Sequence, residues 1–322
     1  MDEADQKSGP SHPHRSLRVV SVLATAVTFL LVAIGALVRA TGSGEGCTGW
    51  PKCSPGRWLP PLEHHALIEY SHRMTAFLDI VMVGLLAAIA LRRYRGVPRV
   101  AGAGVAAVAL VLVQAILGGI VVKGGLAAVL VTAHFGTAMV LVAVLVYATV
   151  AAFSVGSGSA GPLDGFSTLA RVAAMATFGL MAVGAYVRGE GAGLVFPDWP
   201  LMNGRLIPAL DSVPAALHFT HRFLAVVVGV LVAALGMRAW KGRGRGDPAR
   251  VLALMSGGLF LAQALIGAAN VWTRLSAPAV VAHVAVSSLL WGALVATATS
   301  ARLAWLPGRV GLGQSAATGG SP

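Results

Sequence analysis

Charged residues are scarce in this sequence. Only 11% of its 322 residues are charged and 56% are hydrophobic, whereas a soluble domain carries about 25% charged residues. This scarcity excludes a soluble fold. The first apolar run also lacks a small-residue cleavage site after it, so we expect a retained span there rather than a signal peptide.

Eight apolar runs divide the chain, and each is long enough to cross a bilayer, which takes about 20 residues. They cover residues 18–40, 66–91, 100–122, 127–153, 167–187, 214–238, 251–271 and 277–301. The 40 glycines are typical of membrane helices, in which small residues allow backbones to approach closely. The sequence therefore predicts an all-α membrane protein with eight transmembrane helices.

The net charge of +12 is explained by topology. Of the 24 lysines and arginines, 15 fall on the side of the N-terminus, mostly in the second and sixth loops and the two tails. This is the positive-inside pattern, so we expect a multi-pass protein with both termini in the cytoplasm. Membrane lipid is the expected surrounding, and no nucleic-acid partner is predicted.

An internal repeat relates the two halves of the chain at a fixed offset of 149 residues. Matched pairs include Arg39 and Arg188, Trp50 and Trp199, Pro51 and Pro200, His72 and His221, Arg73 and Arg222, Gln114 and Gln263, Gly118 and Gly267, and His134 and His283. Because 149 residues hold an even number of spans, we expect two parallel-repeat four-helix bundles. The predicted units are a tail at 1–17, a bundle at 18–153, a linker at 154–166, a bundle at 167–301 and a tail at 302–322.

Four histidines lie near the outer ends of the even-numbered spans, namely His72, His134, His221 and His283. At a rise of 1.5 Å per residue, all four lie about 10 Å below the outer surface. A lone imidazole could simply hydrogen-bond a neighbouring helix. Four at matched depth in a repeat instead favour axial ligation of haem iron, one pair in each half. There is no Cys-x-x-Cys-His motif for covalent attachment, and zinc would need more nitrogen or sulfur ligands than a pair offers.

Four arginines flank these sites on the outer side, namely Arg39, Arg73, Arg188 and Arg222. An arginine is suited to bidentate pairing with a carboxylate, so we expect these side chains to bind haem propionates. The alternative is that they extend to lipid headgroups.

Three further polar side chains lie inside the predicted spans. Asp79 follows His72 by seven residues in mid-span, where an ionised carboxylate is costly, so we expect it to be protonated or paired. Its equivalent in the second half is Val228. Gln114 and Gln263 lie near the depth of the histidines, and we expect interhelical hydrogen bonds from both.

The two halves differ at Glu69, which lies one helical turn outward of His72, whereas the second half has His218 there. A carboxylate beside a haem in low dielectric is suited to proton transfer, so Glu69 is a candidate base for substrate oxidation. The alternative is a simple ion pair with Arg73, four residues further along the helix.

The halves also differ at the only two cysteines. Cys47 and Cys53 lie in the first outer loop, opposite Phe196 and Met202 in the second half. Six residues apart in a loop with glycine and proline, they are able to reach disulfide geometry. Three roles stay open: a structural staple, redox exchange with a partner, and zinc binding together with the neighbouring His64 and His65.

Two pairs of segments carry a resemblance to a known family. They are VRATGSGEGCTGWPKC at 38–53 with IEYSHR at 68–73, and VRGEGAGLVFPDWPLMNG at 187–204 with HFTHR at 218–222. With a histidine in each even-numbered helix, the chain resembles the haem A synthase family between about residues 18 and 301. The resemblance implies an eight-helix enzyme of the bacterial cell membrane that oxidises a ring methyl of haem O to the formyl group of haem A.

The resemblance also implies roles for individual residues. His221 and His283 would hold a cofactor haem b, and His72 and His134 would lie at the substrate haem with Glu69 as the catalytic acidic residue. Cys47 and Cys53 would match an outer-loop cysteine pair, but a second pair is missing because residues 196 and 202 are not cysteines. The implied partners are the substrate haem O, a haem O synthase, a terminal oxidase assembly pathway and an unidentified electron acceptor.

Two other functions fit two haem sites in a membrane bundle. A di-haem cytochrome b would carry electrons and would need neither the asymmetry at Glu69 nor the cysteine loop. A haem transporter or chaperone would release its haem unchanged, and it would need polar residues along a continuous path, which we do not find in the sequence.

Overall fold

A computed structural model of the chain describes residues 14–49, 52–56, 59–157 and 160–303. Within these ranges the secondary structure is helical: α1 Arg15–Ala40, α2 His64–Arg93, α3 Pro98–Lys123, α4 Ala128–Phe153, α5 Gly165–Gly189, α6 Val213–Gly242, α7 Pro248–Trp272 and α8 Ala277–Ser300. All eight helices are long and apolar enough to cross a membrane. The prediction of an all-α membrane protein with eight spans is confirmed.

Parts of the predicted organisation lie outside the described residues. These parts are most of both tails, two residues of the linker, and Trp50 and Pro51 of the repeat. The cytoplasmic location of the termini and the domain boundaries stay predictions.

The starts of α5 and α7 are capped by the side chains of polar residues. At α5, Asp164 accepts a 2.7 Å hydrogen bond from the backbone N–H of Ser167, and the Asp164 N–H donates a 3.1 Å bond to the Ser167 hydroxyl. Hydrogen bonds from Ser167 to the carboxylate hold the pKa of Asp164 below its usual range. At α7, Asp247 accepts a 2.8 Å bond from the N–H of Ala249.

The helices of each half pack in a ring. In the first half α1 contacts α2 and α4, and α3 contacts the same two helices; α5 to α8 repeat this arrangement. The halves meet where α1 packs on α8, α4 on α5 and α4 on α8. At that junction the indole N–H of Trp291 donates a 2.9 Å hydrogen bond to the carbonyl of Met139. The contacts are compatible with two four-helix units.

The repeat is visible in the backbone of the two connections on the disulfide side, which we define as the side that carries the Cys47–Cys53 loop. Short 3₁₀ helices at Ser43–Glu45 and Ala192–Leu194 follow α1 and α5. Each is preceded by a glycine in the left-handed region, Gly42 at φ 67° and Gly191 at φ 69°. Glycine adopts this backbone conformation without the steric cost that a Cβ brings.

Candidate functional site

Each of the four site histidines packs its ring against a glycine of the preceding helix. If a Cβ atom were added to the glycine, it would come close to Cε1 of the histidine ring. The distance between these two atoms would be 3.1 Å for Gly35 and His72, 3.5 Å for Gly118 and His134, 2.7 Å for Gly184 and His221, and 3.3 Å for Gly267 and His283. Three of these distances are tighter than an ordinary van der Waals contact. The glycines therefore let one helix approach the imidazole of the next, and the sequence analysis missed Gly35 and Gly184, which are also 149 residues apart.

The histidines come together in the expected pairs. His72 and His134 are close enough for their charges to interact, and so are His221 and His283. All four side chains are partly accessible. The described ranges contain no cluster of three or more histidine, cysteine or acidic side chains that could hold a metal ion, so each site offers a pair of imidazoles and no more.

The ring nitrogens of these histidines are short of partners within the protein. Nδ1 of His72, His134 and His221 is buried without a hydrogen bond; the backbone of Leu180 lies next to the His221 ring but does not satisfy Nδ1. A buried polar atom without a partner is costly, so each of these Nδ1 atoms is available for a hydrogen bond that the described residues do not supply. The other ring nitrogen, Nε2, is the one that a pair of imidazoles would offer to haem iron.

The two equivalent glutamines make different contacts. In the first half the amide N–H of Gln114 donates a 2.9 Å bond to the backbone carbonyl of His134. In the second half the amide of Gln263 lies 3.1 Å from Nδ1 of the His283 ring. The other end of that amide is buried without a partner. Both glutamines form the expected interhelical bonds, but only Gln263 contacts an imidazole.

Glu69 is buried, and both oxygens of its carboxylate accept hydrogen bonds. One oxygen accepts a 2.7 Å bond from the backbone N–H of Cys47. The other accepts a 3.1 Å bond from Nε of Arg73 and a second bond from Nη2, so the ion pair considered above is present. In this structure the carboxylate therefore links α2 to the cysteine loop.

Arg73 completes this link from the other end of the loop. Its Nη1 donates to the carbonyls of Gly49 at 2.7 Å and Lys52 at 3.1 Å. Cys47 and Cys53 form a disulfide that closes the same loop. With both cysteines bonded to each other, they offer no thiolates for the zinc alternative.

The second half builds the same link with other side chains. His218 takes the place of Glu69, with Nδ1 at 3.4 Å from the N–H of Phe196 and Nε2 at 3.1 Å from Nε of Arg222. Nη1 of Arg222 donates to the carbonyls of Asp198 and Leu201. A neutral imidazole has one acceptor nitrogen, so His218 satisfies one of the two donors, whereas a carboxylate satisfies both.

Apolar contacts and a carboxylate replace the disulfide in the second loop. Phe196 and Met202 are buried and belong to one hydrophobic cluster. Asp198 accepts backbone N–H bonds from Asn203 at 2.7 Å and Gly204 at 2.8 Å. These bonds hold the pKa of the exposed Asp198 carboxyl below its usual range.

Arg39 and Arg188 differ from Arg73 and Arg222 because their Nε atoms have no hydrogen-bond partner among the described residues. Both Nε atoms are buried. The two guanidinium groups lie close enough to repel each other, at equivalent ends of α1 and α5. Two neighbouring cations of this kind have the chemistry that pairs with carboxylates.

Asp79 has a hydrogen-bond partner, which is one of the two states that the sequence predicts. Its Oδ1 lies 2.6 Å from the hydroxyl of Thr28, which also bonds the carbonyl of Ala24. Its Oδ2 is buried and has no partner. The equivalent Val228 is fully apolar and buried, so this polar contact belongs to the first half alone.

Comparison with known proteins agrees with the resemblance. A family model described as COX15-CtaA, cytochrome oxidase assembly protein, matches residues 18–67 and 62–295. The chain is 30% identical over 289 residues to the Heme A synthase of Alkalihalophilus pseudofirmus, covering 87% of this chain and 96% of that protein. It is 32% identical over 299 residues to the Heme A synthase of Symbiobacterium thermophilum, covering 87% and 94%. The chain therefore belongs to the COX15-CtaA family of cytochrome oxidase assembly proteins.

Proposed function

We propose that this protein acts as a haem A synthase: it oxidises a ring methyl of haem O to the formyl group of haem A within the membrane. The observation that supports this most directly is the pair of imidazoles in each half, set at matched depth against glycines. Relatives that cover most of the chain carry the name Heme A synthase. The reaction supplies haem A for terminal oxidase assembly, downstream of a haem O synthase.

The two histidine pairs have different roles in this proposal. His221 and His283 hold a haem b, which, when bound, supplies one-electron transfer towards an acceptor. His72 and His134 hold the substrate haem O, because only this half places a carboxylate, Glu69, one turn from a site histidine. Helix α2 and the cysteine loop keep that carboxylate on the substrate side.

Arg39 and Arg188 bind haem propionates in this proposal. Their Nε atoms are the buried cationic donors without protein partners near the sites, and a carboxylate between them would remove their mutual repulsion. Arg73 and Arg222 were expected to do the same. Their guanidinium groups already donate to loop carbonyls and to Glu69 or His218, so we assign them to holding the two loops.

Glu69 serves as the proton acceptor during methyl oxidation. The Cys47 N–H and the Arg73 guanidinium fix the position of its carboxylate. When one oxygen accepts a proton, that oxygen exchanges its present hydrogen bond for the new proton while the other oxygen stays hydrogen-bonded. The disulfide serves as a staple, because it fixes the loop whose Cys47 N–H orients Glu69. The excess of basic residues on the side of the N-terminus supports a cytoplasmic location for both termini.

Haem extraction tests this function. The full chain is expressed in a host that makes haem O but no haem A, and the extracted haems are separated by chromatography with mass detection. We expect haem A or its hydroxylated intermediate with the wild-type chain and neither with His72→Ala or His134→Ala. Recovery of unchanged haem B and haem O from a redox-active wild-type protein would contradict the proposal and favour an electron carrier.

A further inference from the structure

The contact between Gln263 and His283 is a feature of the second half alone. Gln114 has the same register in α3 as Gln263 has in α7, but its amide donates to the backbone of His134 and leaves Nδ1 of that ring without a partner. Gln263 instead has its amide nitrogen, Nε2, 3.1 Å from Nδ1 of His283, and its Oε1 is buried without a partner among the described residues. A 180° turn of the amide group exchanges these two atoms. The equivalent imidazoles of His134 and His283 thus have different contacts at Nδ1.

The contact decides which nitrogen of His283 is free. Since Gln263 occupies Nδ1, Nε2 is the nitrogen left for iron, and a neutral imidazole that ligates through Nε2 carries its proton on Nδ1. An amide presents either its oxygen or its nitrogen from the same position. A ligating His283 therefore selects the amide oxygen as the acceptor of the Nδ1–H proton.

A hydrogen bond of this kind changes the electronics of the iron. An acceptor at Nδ1–H fixes the ring orientation and makes the imidazole a more basic ligand. A more basic axial ligand stabilises the ferric state over the ferrous state, so the reduction potential falls. His134, whose Nδ1 lacks an acceptor, provides no such effect in the first half.

We propose that Gln263 is a positioning residue for the C-terminal haem: its amide oxygen fixes the tautomer and ring orientation of His283 and lowers the reduction potential of the iron held there. The proposal rests on the proposed function, because it requires a haem at His221 and His283. It assigns a lowering of the potential of the C-terminal haem, relative to the same site without this contact, to a single amide.

Redox titration of the purified, haem-loaded full chain tests the proposal. The C-terminal component is identified as the one that is lost in His221→Ala. Gln263→Leu removes the acceptor, and we expect the midpoint potential of that component to rise. The matched control is Gln114→Leu, which changes the equivalent glutamine but removes no bond to an imidazole nitrogen, so we expect no shift in either component.

Gln263→Glu gives the opposite test, because a carboxylate accepts the Nδ1–H proton at least as strongly as an amide. We expect the potential to stay at the wild-type value or fall below it. An unchanged potential in Gln263→Leu, or equal shifts in the two Leu variants, would overturn the proposal. If Gln263→Leu retains no haem, Gln263→Glu alone decides, and a potential above wild type overturns the proposal. Retention of every haem component in His221→Ala would overturn the C-terminal haem site itself.

Discussion

Replacing Glu69 by glutamine separates its proposed chemistry from its hold on the cysteine loop. Glutamine has the shape of glutamate and keeps one acceptor for the Cys47 N–H, but it loses the charge and cannot act as a base. Loss of a general base lowers rates by about 10²- to 10⁴-fold. At about 1.4 kcal/mol per tenfold change, this is about 3–5 kcal/mol of transition-state stabilisation.

The structural cost of the same change is smaller. The side chains of Glu69 and Arg73 are only 4% and 14% exposed, so the pair is largely buried. A hydrogen bond to a charged group contributes about 1.5–3 kcal/mol, and Arg73 keeps its two carbonyl acceptors in the loop. We therefore expect a cost of about 2 kcal/mol, the lower part of that range, with the disulfide and the bound haem retained.

The assay is haem A formed per chain in the haem O host, with thiol labelling and the haem spectrum as checks on the loop and the site. His218→Gln is the matched control, because it places the same side chain at the equivalent position of the second half. We expect Glu69→Gln to lose haem A formation and His218→Gln to keep it. Wild-type haem A formation by Glu69→Gln would refute the catalytic role and leave Glu69 as a structural link.

Three further predictions concern the loops and the buried carboxyl. A Cys47→Ser, Cys53→Ser double variant should lose haem A formation in proportion to its loss of thermal stability; full activity in a less stable protein would contradict a role of the loop in holding the site. Asp79→Val should leave the thermal midpoint unchanged or raise it. A buried oxygen without a partner costs about 1–3 kcal/mol, and the substitution removes it, while Thr28 keeps its bond to its own helix. A lower thermal midpoint would contradict this prediction. Because the pKa of Asp198 is held low, its contribution to loop stability should persist above its ordinary pKa of about 4 and be lost as the pH falls below it; tryptophan fluorescence that changed between pH 5 and 7 in wild type but not in Asp198→Asn would contradict the assignment.

Helix number and position followed from the sequence almost without correction. The apolar runs predicted all eight spans, and their ends agree with the structure to within a few residues. Some of the differences lie at the starts of α5 and α7, where Asp164 and Asp247 cap the helices ahead of the apolar run. Capping depends on one side-chain hydrogen bond, which a hydropathy pattern does not contain.

The sequence singled out the candidate residues of the site but not their contacts. The offset of 149 residues singled out the four histidines and the four arginines, and the family match confirms the resemblance. It did not distinguish Arg39 and Arg188, whose Nε atoms have no partner among the described residues, from Arg73 and Arg222, which hold loops. Those loops contact α2 and α6 through backbone carbonyls. Every residue has a backbone carbonyl, so the sequence does not indicate which of them accepts a hydrogen bond.

The number and position of the spans can be derived from the sequence, because the bilayer core contains no water and each span must be an apolar helix that satisfies its own backbone. The side chains that recur in both halves can be derived from it too. The bonding partner of each polar atom depends on how the helices pack. Glu69 accepts a hydrogen bond from the Cys47 N–H. Gln263 contacts the imidazole of His283, whereas Gln114 donates to the backbone carbonyl of His134, although the two glutamines are equivalent in sequence. A hydrogen bond depends on distances of a few tenths of an ångström and on rotamers set by neighbouring helices, so the same residue at the same register has different partners in the two halves.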